Sequence, residues 1–334
     1  MMIDADAHVI ESEATWENLA PEDRRHAPQA IADGGRDWWL IDGRRIPRGT
    51  NLGVNTPRPS YELTDVAARL AHLDALEIDV QVLYPTLFLQ PVTARPEVQC
   101  ALYRAYNRWL ANATAQSGGR LRWAVLVPWL SIPDALEELR WGKAHGACAV
   151  FMRCLEAERR PHDPYFFPVY EEASRQDLPI CIHTSTASFT LFELYGGDPV
   201  NAFRVPLLGA FHTVVYEEVP QRFPGLRFGF IEATSQWVPW QVNYLTQRLR
   251  ISGRPPTGNI LRDNRLYVTC ETVDDVDYVA RYAGEDQLVI GTDYSHADPS
   301  AELEALRRLR DEQCVAPGLI QKILDDNPRA LYGL

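Results

Sequence analysis

The chain has 334 residues, 46% of them apolar and 23% charged, with a formal net charge of −12. That length and composition suit an ordinary globular protein with a large core. The acidic balance argues against nucleic acid as a partner, and no apolar run approaches the ~20 residues that a membrane-spanning helix needs.

The chain opens MMIDADAHVIE. Alternation over residues 3–9 predicts a strand with Asp4, Asp6 and His8 on one face and Ile3, Ala5, Ala7 and Val9 on the other. Two acids and a histidine in a row are too polar for a buried surface unless a cation satisfies them. Because this strand stands at the very start, with no basic leader ahead of it, no signal peptide is expected and the protein reads as cytoplasmic. Residues 20–60 follow as an insertion, in which Asp42-Gly43 within DWWLIDGRRIPR predicts a two-residue hairpin turn. The helical stretch TDVAARLAHLDALE (64–77) leads to the strand DVQVLYP (79–85), and PEVQCALYRAYNRWLANATAQ (96–116) leads to LRWAVLVPW (121–129). In SIPDALEELRWGKAHG (131–146) a Ser precedes the helix, a Pro sits near its first turn and a Gly follows its end. The strands CAVFMR (148–153) and LPICIH (178–183) come next, then a long loop at 184–205 rich in Thr, Ser and Phe. LRFGFIE (226–232), RLYVTCE (265–271), the helix DDVDYVARYAG (274–284) and QLVIGTD (287–293) complete the series. Cys100, Cys148, Cys154, Cys181, Cys270 and Cys314 form no CxxC pair and read as reduced, mostly buried thiols.

Eight strand–helix units predict a parallel (β/α)8 barrel, one domain over residues 1–334, with the 20–60 flap over its mouth. An open doubly wound sheet is the competing architecture, disfavoured because no glycine-rich phosphate loop follows the first strand. In such a barrel the C-terminal strand ends build the active site. Those ends carry Asp6 and His8, Arg153, His183, Glu232, Glu271 and Asp293. Asp6, His8, His183, Glu232 and Asp293 therefore converge on one mouth, although they are far apart in sequence. A mixed imidazole and carboxylate set suits one divalent ion, Zn²⁺ first, with Mn²⁺ or Fe²⁺ as alternatives. Asp4 lies deeper on the same face and is assigned a structural hydrogen bond.

The motifs DADAHVIE, PICIH, FGFIEATSQWVP, GTDYSH and ILDDNPRALYGL, in this order over nearly the whole chain, resemble the amidohydrolase superfamily. The similarity is to its amidohydrolase-2 branch, with aminocarboxymuconate-semialdehyde decarboxylase-like and γ-resorcylate decarboxylase-like enzymes. The resemblance implies the barrel and a homodimer or larger homo-oligomer. It also implies Asp6 and His8 as the first-strand ligand pair, His183 as the fifth-strand ligand, and Asp293 as the aspartate that binds metal and moves protons. One departure is Glu232, where well-known decarboxylases of the branch have a histidine. A neutral imidazole there donates to developing negative charge, which a carboxylate does only when protonated. Glu232 is then a base, an extra ligand or half of a buried salt bridge to Arg248 or Arg153, with His212 as the alternative donor.

Around the mouth, Arg153 suits a bidentate clamp on a substrate carboxylate, or equally balances nearby acids. Tyr294 and His296 line the pocket or cap the next helix. Trp237, like Trp16 and Phe88, sits in a strand-end loop and serves as an aromatic platform or as core. His26, His72, His145 and His162 read as surface or structural. Decarboxylation of a small carboxylated, aromatic or unsaturated substrate comes first. A hydrolase of an amide, lactone or C–C bond that uses activated water comes second, and a silent binding barrel third. The third is disfavoured because unneeded buried charges are costly.

Overall fold

The computed structural model describes residues 1–186, 188–312 and 315–334. Its strands are β1 (Ile3–Val9), β2 (Gln29–Asp33), β3 (Arg36–Ile41), β4 (Arg44–Pro47), β5 (Val80–Pro85), β6 (Leu121–Leu126), β7 (Ala147–Arg153), β8 (Ile180–His183), β9 (Phe228–Ile231), β10 (Leu266–Cys270) and β11 (Leu288–Ile290). Every residue of β7, β8 and β9 is buried, as expected of strands that face a barrel interior on one side and helices on the other. The parallel sheet runs β1-β5-β6-β7-β8-β9-β10-β11, with helices between successive strands. The ring closes where the N–H groups of Thr292 and Asp293 donate to the Asp6 carbonyl at 3.1 and 2.9 Å, and that of His8 to the Tyr294 carbonyl at 3.0 Å. This seam requires glycine at position 291, since a Cβ there would lie 2.3 Å from the Asp6 Cβ. The result is the α/β architecture of a (β/α)8 barrel. Its far end is stopped by the C-terminal helix Asn327–Tyr332, from which the Tyr332 hydroxyl donates to the Ala5 carbonyl at 2.6 Å and meets the Tyr84 hydroxyl at 2.9 Å.

Three details differ from the sequence-based expectation. The pairing of β1 with β5 slips between Asp4 and Ala7, so strict alternation does not carry across Asp4. Asp4 instead pairs with Gln81, which is held by Arg69 on the helix Val66–Ala75. The flap is a three-stranded antiparallel sheet, β2-β3-β4, with one turn more than the expected one. Asp42 (φ 48°) and Gly43 (φ 77°) form the expected turn, but Gly34-Gly35 forms a second one, and that Gly-Gly pair was the overlooked signal. The flap is tied to the loop after β5, where Thr93 and Arg95 donate to the Asp42 carboxylate at 2.6 and 3.0 Å. Finally, the described residues of 184–205 are largely helical. Ser188 caps the helix Phe189–Tyr195 by accepting from the Leu191 N–H, and Asp198 caps the turn Pro199–Arg204. Short capped helices of this kind show no apolar periodicity to read.

The five described cysteines, Cys100, Cys148, Cys154, Cys181 and Cys270, are free and buried, while Cys314 lies outside the described residues. Among the described residues no helix is long and apolar enough to cross a membrane.

Candidate metal centre

The strand ends deliver their polar residues through backbone geometry. Asp6 and His8, two apart in β1, point the same way. His183 ends β8. Glu232 and Asp293 follow β9 and β11 in the left-handed region, with φ 56° and 48°. That conformation costs a non-glycine residue about 1 kcal/mol or more and persists where surrounding structure holds it.

Donor atoms from these residues gather in one buried cluster. His8 Nε2 lies 3.5 Å from Asp6 Oδ1, 3.4 Å from Asp293 Oδ1 and 3.8 Å from Glu232 Oε2. His183 Nε2 lies 3.3 Å from Asp6 Oδ1, and His183 Nδ1 lies 3.5 Å from Glu232 Oε2. The Nδ1 of His8 faces the Pro85 carbonyl at 2.9 Å, which fixes the tautomer and leaves the Nε2 lone pair for the cluster. Asp6, His8, His183 and Glu232 form one group of metal-capable residues, and His8, Glu232, Asp293 and His296 form an overlapping one.

The donors fit a cation better than they fit one another. Charge-assisted hydrogen bonds span about 2.7–2.9 Å, whereas two donors ~2.0–2.2 Å from one tetrahedral ion stand about 3.3–3.6 Å apart. The separations of His8 Nε2 from Asp6 Oδ1 and Asp293 Oδ1, and of His183 Nε2 from Asp6 Oδ1, at 3.5, 3.4 and 3.3 Å, lie in the second range. His8 Nε2, Glu232 Oε2 and both Asp293 oxygens are buried with no hydrogen-bond partner. Such orphans are rare in native proteins and costly unless an ion or water meets them. Electrostatics agree: burial, then the Asp298 and Asp6 charges, push Asp293 far up, and burial, then Asp293, does the same to Glu232. Burial and the neighbouring His296 hold His8 down to about 3, so its imidazole is neutral, as a ligand must be.

His296 belongs to this neighbourhood. It stacks on His8 with ring centroids 4.1 Å apart, and its Nε2 faces the Thr86 hydroxyl at 2.9 Å. Its Nδ1 comes within 2.6 Å of Asp293 Oδ1 without hydrogen-bond geometry. A cavity of about 350 Å³ ends on His296 and Thr86 and is walled by Trp39, Arg44 and Arg48 of the flap and by Phe189, Phe192 and Phe203.

Other candidates fall elsewhere. Arg153 is no clamp: its guanidinium is taken up by Glu156 at 2.5 Å, the Tyr103 hydroxyl at 3.2 Å and the Phe88 carbonyl at 3.1 Å. Tyr294 turns outward after the left-handed Asp293, placing its hydroxyl 2.7 Å from His72 Nδ1 and its ring beneath Arg69. Trp237 packs on Phe211 and donates to the Thr234 carbonyl at 2.9 Å, a core role. His212 lies in a helix seam, its ring against Tyr216 and Tyr244, and does not stand in for Glu232 as a donor at the mouth. Arg248 lies over the Tyr216 ring, so it is no partner for Glu232 either. Trp16 and Phe88 are buried against each other, and Asp4 takes only structural hydrogen bonds. Sequence reasoning missed Thr86 and Ser300, neither of which stands on a strand. The Thr that follows the strand-ending Pro85 was the available clue to the first.

The chain belongs to the amidohydrolase family, which it matches over residues 3–334. That family consists of metal-dependent enzymes, and the buried cluster of metal-capable residues accords with it. Curated proteins give no sequence match. Among solved structures, the chain resembles an amidohydrolase from Mycobacterium avium subsp. paratuberculosis K-10 at 21% identity and a TM-score of 0.83, covering 99% of each chain. It resembles 5-carboxyvanillate decarboxylase from Novosphingobium aromaticivorans DSM 12444, solved with manganese and 4-hydroxy-3-methoxy-5-nitrobenzoic acid, at 18% identity and a TM-score of 0.72 over 100% of this chain and 96% of that one. It also resembles 4-oxalomesaconate hydratase from Rhodopseudomonas palustris at 15% identity and a TM-score of 0.67, over 100% and 96% respectively.

Proposed function

We propose that the protein is a metal-dependent decarboxylase of a small carboxylated aromatic or unsaturated acid. One arrangement carries the reading: an aromatic, arginine-flanked cavity ends on His296, against the orphaned donor set. The shared fold with a decarboxylase solved with manganese and an aromatic acid supports it.

Asp6, His8, His183 and Asp293 would hold the ion, which when bound supplies Lewis acidity toward a substrate oxygen and offsets the carboxylate charge. Trp39, Phe189 and Phe192 flank a planar substrate. Arg44, whose guanidinium stacks on Phe189 at 3.9 Å, forms no ion pair within 4 Å among the described residues and meets the substrate anion. Asp293, with Oδ2 unpaired, holds the proton that is delivered. The bond between the carboxylate and its carbon breaks, the electron pair stays on that carbon, the Asp293 proton goes there, and CO₂ leaves with no redox change. His296, steadied by Thr86, is the neighbour through which Asp293 regains a proton.

A second reading, addition of water in a hydrolase or hydratase, is favoured by one observation: Glu232 places a further carboxylate where a base for water would stand. The fold is also that of a hydratase. Incubation with carboxylated hydroxybenzoates and unsaturated keto acids separates the two. Decarboxylation gives CO₂ in step with substrate loss. Product that carries ¹⁸O from labelled water, with no CO₂, overturns it in favour of the second reading.

A further inference from the structure

We propose that Glu232 is itself a ligand of the divalent ion, completing a set of three carboxylates and two imidazoles that favours an oxygen-seeking ion such as Mn²⁺. The inference rests on reading the barrel mouth as a metal centre. It is independent of the decarboxylase reading and takes Glu232 away from the role of water base in the second.

Three observations lead to it. First, the two oxygens of Glu232 are treated differently. Oε1 lies 3.1 Å from the Ser300 hydroxyl, which also contacts Asp298 and accepts from Arg204 at 3.2 Å. Oε2 is buried, has no hydrogen-bond partner, and lies 3.8 Å from His8 Nε2 in one metal-capable group with Asp6, His8 and His183, while the nearby His183 Nδ1, at 3.5 Å, already faces the Thr184 carbonyl at 2.8 Å. A carboxylate steadied through one oxygen by an outer hydroxyl and aimed inward with the other is how protein ligands are oriented on metals. Second, the orientation is imposed by the backbone as well. Glu232 sits at φ 56°, and its N–H donates to the Thr269 hydroxyl at 2.7 Å, locking the turn after β9.

Third, the competing roles lack partners. A salt bridge would need a cation in contact, yet Arg204, whose charge acts on Glu232, approaches Glu271 at 3.8 Å and Asp298 at 3.9 Å and forms no ion pair with Glu232. As a base alone, Glu232 would sit beside Asp293, Asp298 and Asp6 with only the unpaired charge of Arg204 set against their mutual repulsion. A divalent ion removes both difficulties. Carboxylate oxygen is a harder donor than imidazole nitrogen, so a third carboxylate moves selectivity away from Zn²⁺ and toward Mn²⁺.

The test uses the full-length protein stripped of metal and titrated with Mn²⁺, read by electron paramagnetic resonance, with Zn²⁺ competition in parallel. Glu232→Gln keeps the shape and the acceptor for Ser300 but loses the charge. It should bind Mn²⁺ at least about tenfold more weakly, and Ser300→Ala a few-fold more weakly. Glu232→His should raise the ratio of Mn²⁺ to Zn²⁺ dissociation constants. A thermal melt supplies an independent check. Metal-free Glu232→Gln should melt no lower than metal-free wild type, because a repelled charge is gone, while losing most of the rise in Tm that Mn²⁺ gives wild type. Mn²⁺ affinity within threefold of wild type in Glu232→Gln, or an unchanged ion ratio in Glu232→His, overturns the proposal. That outcome leaves the decarboxylase reading standing, just as absence of CO₂ release leaves this one standing.

Discussion

Two buried polar clusters lie within a few residues of each other on β1, and they are built on opposite plans. Around Asp4 every group is answered: Arg69 donates to Gln81 at 2.8 and 2.6 Å, Gln81 to Asp4 at 2.7 Å, and Thr292 to Asp4 through both its N–H and its hydroxyl. Around Asp6, two residues on, His8 Nε2, Glu232 Oε2 and both Asp293 oxygens are left without hydrogen-bond partners. Burial and charge are common to both. What separates structural from functional polarity here is incompleteness, since a closed network stabilises the fold while an open one waits for a ligand.

The largest test of that contrast is His183→Ala. Metal affinity should fall more than about 100-fold, with turnover lost alongside it, as judged by elemental analysis and Mn²⁺ titration. Full turnover in a metal-free variant would end the distinction. Next comes Arg153→Ala, which strands Glu156 in the core. It should cost about 3–5 kcal/mol in urea unfolding yet leave metal content unchanged. A parallel loss of metal would move Arg153 into the open cluster. The smallest effect concerns Glu11, an intermediate case: it accepts N–H bonds from Thr86 and Leu87 but has no cation, and burial pushes it from 4.5 up to about 7. The folded protein therefore keeps a proton that the unfolded chain releases, so stability falls as pH rises from about 4.5 through about 7 and then levels. Glu11→Gln should remove this slope, gaining on wild type by up to about 3 kcal/mol across that window. A pH-independent difference would class Glu11 with the closed cluster.

The eight barrel strands were legible because runs buried on both faces are short, apolar and separated by stretches of helical periodicity. Helix ends with Pro at the first turn were legible too, as at Pro96. The donors Asp6, His8, His183, Glu232 and Asp293 could be named because a barrel strand's end tells which rim its residue reaches. Rim position does not tell which way a side chain turns. Asp293 in the left-handed region sends Tyr294 outward, and Arg153 finds Glu156 three residues on and is consumed by it. His212 and Trp237 failed for a related reason. Helix–helix seams are made by spatial neighbours such as Tyr244 and Phe211, which lie tens of residues away in sequence. The third flap strand was open to view in Gly34-Gly35, whereas the slip in β1 left no compositional trace.

The seam between β11 and β1 has a further consequence, for the order of events during synthesis. Asp6 emerges from the ribosome early, but its carbonyl waits for the amides of Thr292 and Asp293, and the Ala5 carbonyl waits for Tyr332. Such contacts between opposite ends of a chain form late, because closing the loop costs entropy before any contact rewards it. A nascent chain that has not yet reached Asp293 offers a metal only Asp6, His8, His183 and Glu232 on an unclosed sheet. The candidate metal centre is therefore completed only when the barrel closes and Asp293 joins the other donors.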